Sequence, residues 1–300
     1  MDASRRRTLG ALAGLAVMGK AGAQEAMHAC AIPASGERLP VIGIGTWQTF
    51  DVGGDAPARA ALQEVLRAFF AGGGRVVDSS PMYGSSESVV GDLCRQLGIC
   101  EPLFMASKIY TRGREEGIRG MQRSIERMRA GSMDLMQVHN LLDVETHTPA
   151  LREWKAAKRV RYIGITHYTA SAYAEVERWL KTKQYDFLQI NYSLGENEAQ
   201  KRLLPLAQEL GVAVIANRPF AEGAMFGRVR GKPLPAWAAD FGIASWAQYF
   251  LKWIVSHPAV TCAIPGTGKP EHMADNLKAG FGPLPDAGQR ARMAQHYAAL

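Results

Sequence analysis

The sequence predicts an α/β protein with a single-domain (β/α)8 TIM-barrel fold. Eight short segments are almost continuously apolar, as expected for parallel strands that are covered on both faces. Between them lie longer segments in which apolar residues recur at helical spacing. Eight such pairs are the number that closes a barrel. A doubly wound open sheet is the competing arrangement, but its dinucleotide-binding form needs a GxGxxG motif after the first strand, and none occurs there.

The predicted elements follow one another in regular alternation. The strands cover residues 41–46, 75–78, 103–108, 134–139, 161–166, 186–191, 212–217 and 260–265. The helices cover residues 57–71, 86–97, 114–129, 148–158, 170–182, 199–210, 243–256 and 270–279, with a terminal helix near 286–298. Three of the helices are followed by the residue that most often ends a helix, at Gly98, Gly131 and Gly211.

The first 23 residues have the three-part layout of an export signal. A basic start at 5–7 is followed by an apolar stretch over 9–19 and by Ala-Gly-Ala at 21–23, which resembles a cleavage site. The run SRRRTL at 4–9 resembles the twin-arginine signal. The apolar stretch is about half the length that spans a bilayer, so we expect no stable membrane anchor.

These features define the expected organisation. Residues 1–23 are predicted to be a twin-arginine signal peptide, residues 24–38 a lead-in, and residues 39–300 one barrel domain, because no Pro/Gly/Ser-rich linker interrupts the chain. The expected location is the periplasm or beyond, with the twin-arginine machinery as a partner, or the cytoplasm if the signal is not used. The alternative interpretation of the first segment is a disordered basic N-terminus.

The charge balance argues against one class of partner. The formal net charge is +7, of which residues 1–23 hold +3, so that +4 remains for the rest of the chain. No basic stripe with interleaved aromatic residues is present, and we expect no nucleic-acid partner. The composition is that of an ordinary globular protein, and a monomer is expected.

The cysteines predict neither a metal site nor a disulfide framework. No CxxC pair and no cysteine–histidine spacing typical of a metal site occurs. We expect unpaired cysteines, with Cys94 and Cys262 in the core. A Cys94–Cys100 disulfide is the alternative in an oxidising compartment.

Four titratable residues coincide with the ends of three consecutive predicted strands. Asp78 ends the second strand and Tyr83 lies in the loop after it, while Lys108 and His139 end the third and fourth strands. Active sites of TIM barrels lie at the C-terminal ends of the strands, so these side chains are expected to meet there. Each residue alone has an ordinary structural explanation, but the coincidence of four predicts a catalytic site.

The chemistry that suits these four residues is carbonyl reduction. A hydride that reaches a carbonyl carbon leaves negative charge on oxygen, and a proton must follow. Tyr83 is predicted to be the general acid, since a nearby Lys108 ammonium would lower its pKa. Asp78 is expected to hold Lys108, and His139 to orient the carbonyl oxygen.

From about residue 39 to residue 282 the chain resembles the aldo-keto reductase family. The resemblance lies in seven motifs in the family's order: GIGTW (43–47), VVDSSPMYGSSESVVGDL (76–93), ASK (106–108), DLMQVHN (134–140), YIGITHY (162–168), LQINYS (188–193) and IPGTGKPEHMADNLKA (264–279). The family is a (β/α)8 barrel that binds NADPH or NADH without a Rossmann domain. Its catalytic tetrad falls on Asp78, Tyr83, Lys108 and His139.

The resemblance also implies which residues bind the cofactor. The strand-one rim (Gly45, Thr46) and Trp47 would border the site, with Trp47 lining the substrate pocket. The nicotinamide carboxamide would be held by Thr166, His167 and Gln189. The pyrophosphate and adenosine would be bound by the last motif, through Pro265, Gly266, Thr267, Lys269, His272 and Asn276. The helix that starts near residue 270 fits this role, because its N-terminal amides favour a phosphate.

The sequence departs from the family pattern at two positions expected near the nicotinamide of the cofactor. His167 replaces the usual Asn, and it is bulkier and titratable. Asn217 stands where the family often has the aromatic ring that stacks on nicotinamide. Arg218 follows it, and could reach a cofactor phosphate or an anionic substrate, or form a surface salt bridge.

A third departure concerns the choice of cofactor. Gly266 and His272 stand where the family often has cations, so that Lys269 and His272 remain as candidates for a 2′-phosphate. NADPH is the expected cofactor, with NADH as the alternative.

The predicted function is the reduction of an aldehyde or ketone, a small-molecule substrate, by an NAD(P)H-dependent oxidoreductase. A non-catalytic or regulatory cofactor-binding barrel is the first alternative, and a barrel hydrolase or lyase the second. The latter would need paired carboxylates or a metal cluster, and the sequence contains neither pattern at the strand ends. The loops at 140–148 and 218–240 predict an apolar pocket wall formed by Leu141, Leu142, Phe220, Met225, Phe226 and Trp237, although the two leucines could equally cover the barrel edge.

Overall fold

The computed structural model describes residues 26–300 as one parallel eight-stranded barrel, so the predicted signal peptide lies outside the described residues. The barrel strands are β3 (Ile44–Gly45), β4 (Val76–Asp78), β5 (Phe104–Ile109), β6 (Met133–Val138), β7 (Val160–Thr166), β8 (Phe187–Asn191), β9 (Ala213–Asn217) and β10 (Cys262–Ala263). Each pairs in parallel with the next in the chain. A parallel bridge between Ile42 and Ala263 joins the first strand to the last and closes the ring. The predicted (β/α)8 barrel is confirmed.

Helices cover the outside of the strands. They are α1 (Ala56–Ala71), α2 (Ser86–Leu97), α3 (Arg114–Arg127), α4 (Val144–Ala156), α5 (Tyr173–Leu180), α6 (Leu203–Glu209), α7 (Ala224–Val229), α8 (Trp246–Val255), α9 (Pro270–Lys278) and α10 (Ala287–Ala299). Short 3₁₀ turns precede α5, α6 and α7, and a longer one covers Ala236–Phe241. None of the helices in the described part of the chain is long and apolar enough to cross a membrane.

One helix begins earlier in the chain than the sequence predicts. The helix predicted at 148–158 starts at Val144, and Pro149 lies inside it. The Asp143 carbonyl accepts bonds from the amides of Thr146 and His147, and its carboxylate accepts a bond from the Thr146 hydroxyl at 2.8 Å. These bonds satisfy groups of the first turn, so the helix can begin upstream of the proline.

An antiparallel hairpin that the sequence did not predict covers the N-terminal ends of the strands. It consists of β1 (Ala29–Ala31) and β2 (Arg38–Pro40), within the segment expected to be a lead-in and just beyond it. Ile32 and Leu39 are buried in one cluster with side chains from the barrel strands. The hairpin therefore closes the bottom of the barrel, at the end opposite to the predicted site.

Close approach of the first and last strands requires a residue without a side chain. A Cβ atom added to Gly45 would lie 2.9 Å from the carbonyl oxygen of Ile264. The Gly45 amide donates to the Pro265 carbonyl at 3.2 Å. Gly45 thus permits the barrel to close next to the site.

The prediction of unpaired cysteines is wrong for one pair, since Cys94 and Cys100 form a disulfide. Gly98 ends α2 in the left-handed conformation at φ 69° and turns the chain back, which brings the two Cα atoms to 4.9 Å. Cys262 is buried and free, as expected, and Cys30 is free and half-buried.

Candidate active site

The C-terminal ends of β4, β5 and β6 bring the four predicted catalytic residues together. The Lys108 Nζ donates to Asp78 Oδ2 at 2.5 Å and lies 5.1 Å from the centre of the Tyr83 ring. The Tyr83 and His139 ring centres are 5.8 Å apart, with the rings nearly perpendicular. The group therefore forms one cluster, in which the phenol lies close to both the charged pair and the imidazole.

Further hydrogen bonds hold the charged pair in place. Asp78 Oδ1 accepts from the side-chain amides of Gln189 at 2.8 Å and Gln137 at 3.4 Å. The Lys108 Nζ also donates to the Ser79 carbonyl at 2.8 Å. Both ends of the pair are almost completely buried, where an unpaired charge would be costly. These hydrogen bonds fix the position of the ammonium group next to Tyr83.

Burial and nearby charges determine the protonation states. Burial raises the pKa of Tyr83 above its usual value, and the charge of Lys108 offsets only part of this effect. The expected net lowering of the Tyr83 pKa is therefore not found in the protein alone. The pKa of Lys108 is raised because the Asp78 carboxylate and Tyr83 outweigh the effect of its burial. At neutral pH the site holds a protonated phenol beside a charged ammonium.

His139 is a neutral imidazole. Burial, followed by the charge of Lys108, lowers its pKa to about 2. Its Nδ1 lies 3.0 Å from Ser80 Oγ, which itself accepts a bond from the Met82 amide at 3.3 Å. Ser80 can therefore donate its own proton to Nδ1, which leaves Nε2 as the protonated nitrogen. A neutral N–H donor suits the binding of a carbonyl oxygen.

A cleft of about 650 Å³ opens above these residues. Its lining includes ten of the predicted catalytic and cofactor-binding residues: Gly45, Thr46, Trp47, Asp78, Tyr83, His139, Thr166, Gln189, Arg218 and Gly266. Lys108 is fully buried next to Asp78 in the cleft floor. The volume is within the range of small-molecule sites.

The remaining predicted cofactor-binding residues do not line this cleft. His167 stacks on the ring of Tyr168 at 5.5 Å, and its Nδ1 accepts from the Thr169 amide. Pro265 and Thr267 are buried in the loop after β10, and Asn276 is buried on α9. Lys269 and His272 are exposed at the start of α9, which has no side-chain cap.

Arg218 forms salt bridges. Its guanidinium lies 3.1 Å from Glu196 and also contacts Glu222. It lies 5.9 Å from the ring centre of Tyr168 as well. Of the alternatives for Arg218, the structure thus contains the salt bridge, at the edge of the cleft rather than on the outer surface.

Of the six residues predicted to form an apolar pocket wall, two line the cleft. Phe220 and Phe226 line the cleft. Leu141 and Met225 are buried in the core, and Leu142 does not line the cleft. Trp237 lines a separate cavity of about 300 Å³ on the outside of the barrel.

Several residues of the site were not found from the sequence. Ser80 and Gln137 hold His139 and Asp78, and Tyr110 lies 5.1 Å from the His139 ring. Their position next to a predicted strand end was the only available signal, and it is shared by many residues that only pack. The described residues contain no group of three His, Cys, Asp or Glu side chains that could hold a metal ion.

Residues 41–297 match the model of the aldo/keto reductase family. The chain belongs to this family. Methylglyoxal reductase YeaE of Escherichia coli is 29% identical over 248 residues, which cover 79% of this aldo/keto reductase and 84% of the relative. Aldo-keto reductase str7 of Strobilurus tenacellus is 26% identical over 257 residues, which cover 72% of this chain and 75% of the relative.

Solved structures of this family share the fold. An aldo-keto reductase from Klebsiella pneumoniae, crystallised with NADPH, superimposes with a TM-score of 0.77 at 24% identity, over 92% of this chain and 96% of its own.

Proposed function

We propose that this aldo/keto reductase reduces an aldehyde or ketone to an alcohol with NADPH as hydride donor and Tyr83 as proton donor. The proposal rests above all on one observation. The protonated Tyr83 lines the cleft and lies next to both a buried Lys108–Asp78 pair and a neutral His139. Family membership and the cofactor of the Klebsiella relative support the same reaction.

The residues present fit a nicotinamide dinucleotide. When bound, NADPH supplies a hydride. Asn217 lies at the cleft wall, and its Oδ1 is buried without a hydrogen-bond partner, so it can accept from a carboxamide. The uncapped start of α9 suits a phosphate, and the exposed Lys269 and His272 there could bind the 2′-phosphate of NADPH. NADH is the alternative if they do not.

Each member of the tetrad has a distinct role in this mechanism. The Nε2–H of His139 donates to the carbonyl oxygen and orients it. As a hydride reaches the carbonyl carbon, the C=O π bond opens and Tyr83 gives its proton to the oxygen, which yields the alcohol. Lys108 stabilises the phenolate that remains until water reprotonates it. Asp78 keeps Lys108 charged and in position.

Replacement of Tyr83 by Phe tests the proposal. We expect kcat to fall by about 10²- to 10⁴-fold, because the general acid is lost, with the Kd for NADPH nearly unchanged. Tyr297→Phe is the matched control, since this tyrosine lies on α10, does not line the cleft and should retain turnover. The readouts are protein fluorescence for cofactor binding and NADPH oxidation for turnover.

Two results would contradict the mechanism. Full activity in Tyr83→Phe would exclude Tyr83 as the proton donor. Tight NADPH binding by the wild type without turnover of any carbonyl compound would favour the alternative of a non-catalytic cofactor-binding barrel.

We also propose that the protein is exported through the twin-arginine route. The Cys94–Cys100 disulfide supports export, since such bonds persist mainly in oxidising compartments. The test is to replace Arg5 and Arg6 together by Lys and to measure the protein in cytoplasmic and periplasmic fractions. Export is expected in the wild type and lost in the variant, and an unchanged distribution would refute this route.

A further inference from the structure

A second cavity, separate from the cleft, lies on the outside of the barrel. It has a volume of about 300 Å³, and none of its lining residues lines the cleft. Its lining comes from the 3₁₀ turn Ala236–Phe241, from the segment before α10 and from the first two turns of α10. The volume is at the lower end of the range for small-molecule sites. The proposed reaction makes no use of this cavity.

One buried side chain fixes two parts of the cavity wall. Lys252 is 1% exposed, and its Nζ donates to the carbonyls of Phe241 at 2.6 Å and Pro283 at 3.3 Å. Phe241 and Pro283 both line the cavity, so a single ammonium group holds the 3₁₀ turn and the segment before α10 together. The side chain of Gln289, a further lining residue, accepts from the Asp286 amide at 2.8 Å. The cavity is thus formed without a ligand, and binding requires little ordering of the protein.

Aromatic and aliphatic side chains give this cavity an apolar surface. Trp237, Phe241 and Leu284 are among its lining residues. The Trp237 ring is held by its neighbours, since its centre lies 6.0 Å from that of Tyr249 and 4.5 Å from the Arg292 guanidinium. An apolar group of a ligand can therefore pack against a surface that is already in position.

Two opposite charges line the same cavity without being paired. These are Asp240 and Arg292, and neither forms an ion pair with any residue that the structure describes. In the cleft, by contrast, Arg218 is paired with Glu196 and Glu222. A guanidinium group binds a carboxylate through charge-assisted hydrogen bonds, and a carboxylate binds an ammonium group in the same way. A ligand that carries both charges can therefore satisfy both side chains.

We propose that this cavity binds a free α-amino acid with an apolar side chain. The Arg292 guanidinium binds the carboxylate of the ligand, Asp240 binds its ammonium group, and its side chain packs against Trp237 and Leu284. An amine or a carboxylic acid alone leaves one of the two charged residues without a partner. The proposal is independent of the proposed reaction, because the two cavities share no lining residue.

Isothermal titration calorimetry on the wild-type protein tests the proposal without cofactor or turnover. L-Phenylalanine carries both charges, 3-phenylpropionate only the carboxylate and 2-phenylethylamine only the ammonium group, whereas glycine lacks the apolar side chain. We expect saturable binding of L-phenylalanine, about 10- to 100-fold tighter than that of either singly charged probe, because each of these lacks one charged contact. Glycine should bind at least about tenfold more weakly than L-phenylalanine.

Two variants identify the charged contacts. Arg292→Gln should weaken the binding of L-phenylalanine about 10- to 100-fold and that of 3-phenylpropionate as well, but not that of 2-phenylethylamine. Asp240→Asn should weaken the binding of L-phenylalanine and 2-phenylethylamine, but not that of 3-phenylpropionate. Arg123→Gln is the matched control, because this exposed arginine of α3 lines neither cavity and should leave all affinities unchanged. Asp240 and Arg292 are exposed, so both variants should keep the wild-type Tm.

Three results would overturn the proposal. The first is the absence of saturable L-phenylalanine binding to the wild type. The second is binding that Arg292→Gln and Asp240→Asn leave unchanged, which would place the amino acid elsewhere on the protein. The third is binding of 3-phenylpropionate as tight as that of L-phenylalanine and insensitive to Asp240→Asn, which would make the cavity a site for a simple carboxylate.

Discussion

Replacement of Asp78 by Asn would leave the buried ammonium of Lys108 without its counter-charge. The Lys108 side chain is 0% exposed, and Asp78 is the acid paired with it. The Ser79 carbonyl would remain as a hydrogen-bond partner, but it carries no charge. We therefore expect Asp78→Asn to destabilise the fold and to lower activity together.

The size of the effect follows from the burial of the pair. Removal of one partner of a buried ion pair costs about 3–5 kcal/mol. The unfolding entropy of a chain of this length is roughly 0.6 kcal/mol/K, so about 1 kcal/mol shifts Tm by about 1.5–2 °C and Tm should fall by about 5–10 °C. Burial lowers the pKa of Lys108 once the carboxylate that now raises it is gone. A neutral amine no longer stabilises the Tyr83 phenolate, and kcat should fall at least about 100-fold.

The assay combines thermal unfolding followed by circular dichroism with NADPH oxidation. Glu198→Gln is the matched control, because Glu198 forms an ion pair with Lys201 at 2.6 Å whose two side chains are 53% and 68% exposed. It should cost less than about 1 kcal/mol. The double variant Asp78→Asn/Lys108→Met removes both charges and should recover much of the lost stability but no activity.

Two outcomes would refute this reasoning. A Tm for Asp78→Asn within about 2 °C of the wild type would mean that the pair does not stabilise the fold. Full activity in the double variant would mean that Lys108 has no part in proton transfer.

Three further predictions follow from other parts of the structure. His139 is protonated near pH 6.5 in the unfolded chain but only near pH 2 in the folded protein. The free energy of unfolding should therefore fall by about 1.4 kcal/mol per pH unit below pH 6.5 in urea titrations, and His139→Asn should lack this component. Replacement of Cys94 and Cys100 by Ala opens a ring with a sequence separation of 6 and should destabilise the fold by about 2 kcal/mol, which lowers Tm by about 3–4 °C. Gly45→Ala should cost about 1–3 kcal/mol in denaturant titrations, whereas Gly268→Ala, with no neighbour within 4 Å, should cost nothing.

Each of these predictions has an outcome that contradicts it. An identical pH slope in wild type and His139→Asn would show that the histidine is not held neutral. If a reductant lowers the Tm of the cysteine double variant as much as that of the wild type, the Tm shift caused by the reductant does not come from loss of the disulfide. Equal stability of the two glycine variants would remove the argument from close approach.

The strands were predictable because each is a short apolar run covered on both sides. The helix predicted at 86–97 is found at the same bounds, since its apolar spacing and the glycine after it agree. The hairpin over the barrel bottom was not predictable in the same way. Its strands have three residues each, too few for a periodic pattern, and it is held by contacts with distant strands.

The catalytic group was visible in the sequence because strand ends of a barrel converge on one rim. Electrostatics were less predictable, since the raised pKa of Tyr83 depends first on its burial, which no spacing reveals. The pairing of Arg218 with Glu196 depends on a fold that joins segments 22 residues apart. Likewise, Cys94 and Cys100 pair because of the left-handed turn between them rather than because of their spacing alone.

The bottom hairpin also determines how the molecule can be handled. His28 donates its amide to the Gly280 carbonyl at 2.8 Å, and its ring bonds to the Gly282 carbonyl at 2.6 Å, so the start of the described chain is fastened to the segment between α9 and α10. The cleft opens at the other end of the barrel. If the protein is coupled to a sensor surface or resin through residue 26, the N-terminal end of the barrel should therefore face the support and the cleft should face the solution.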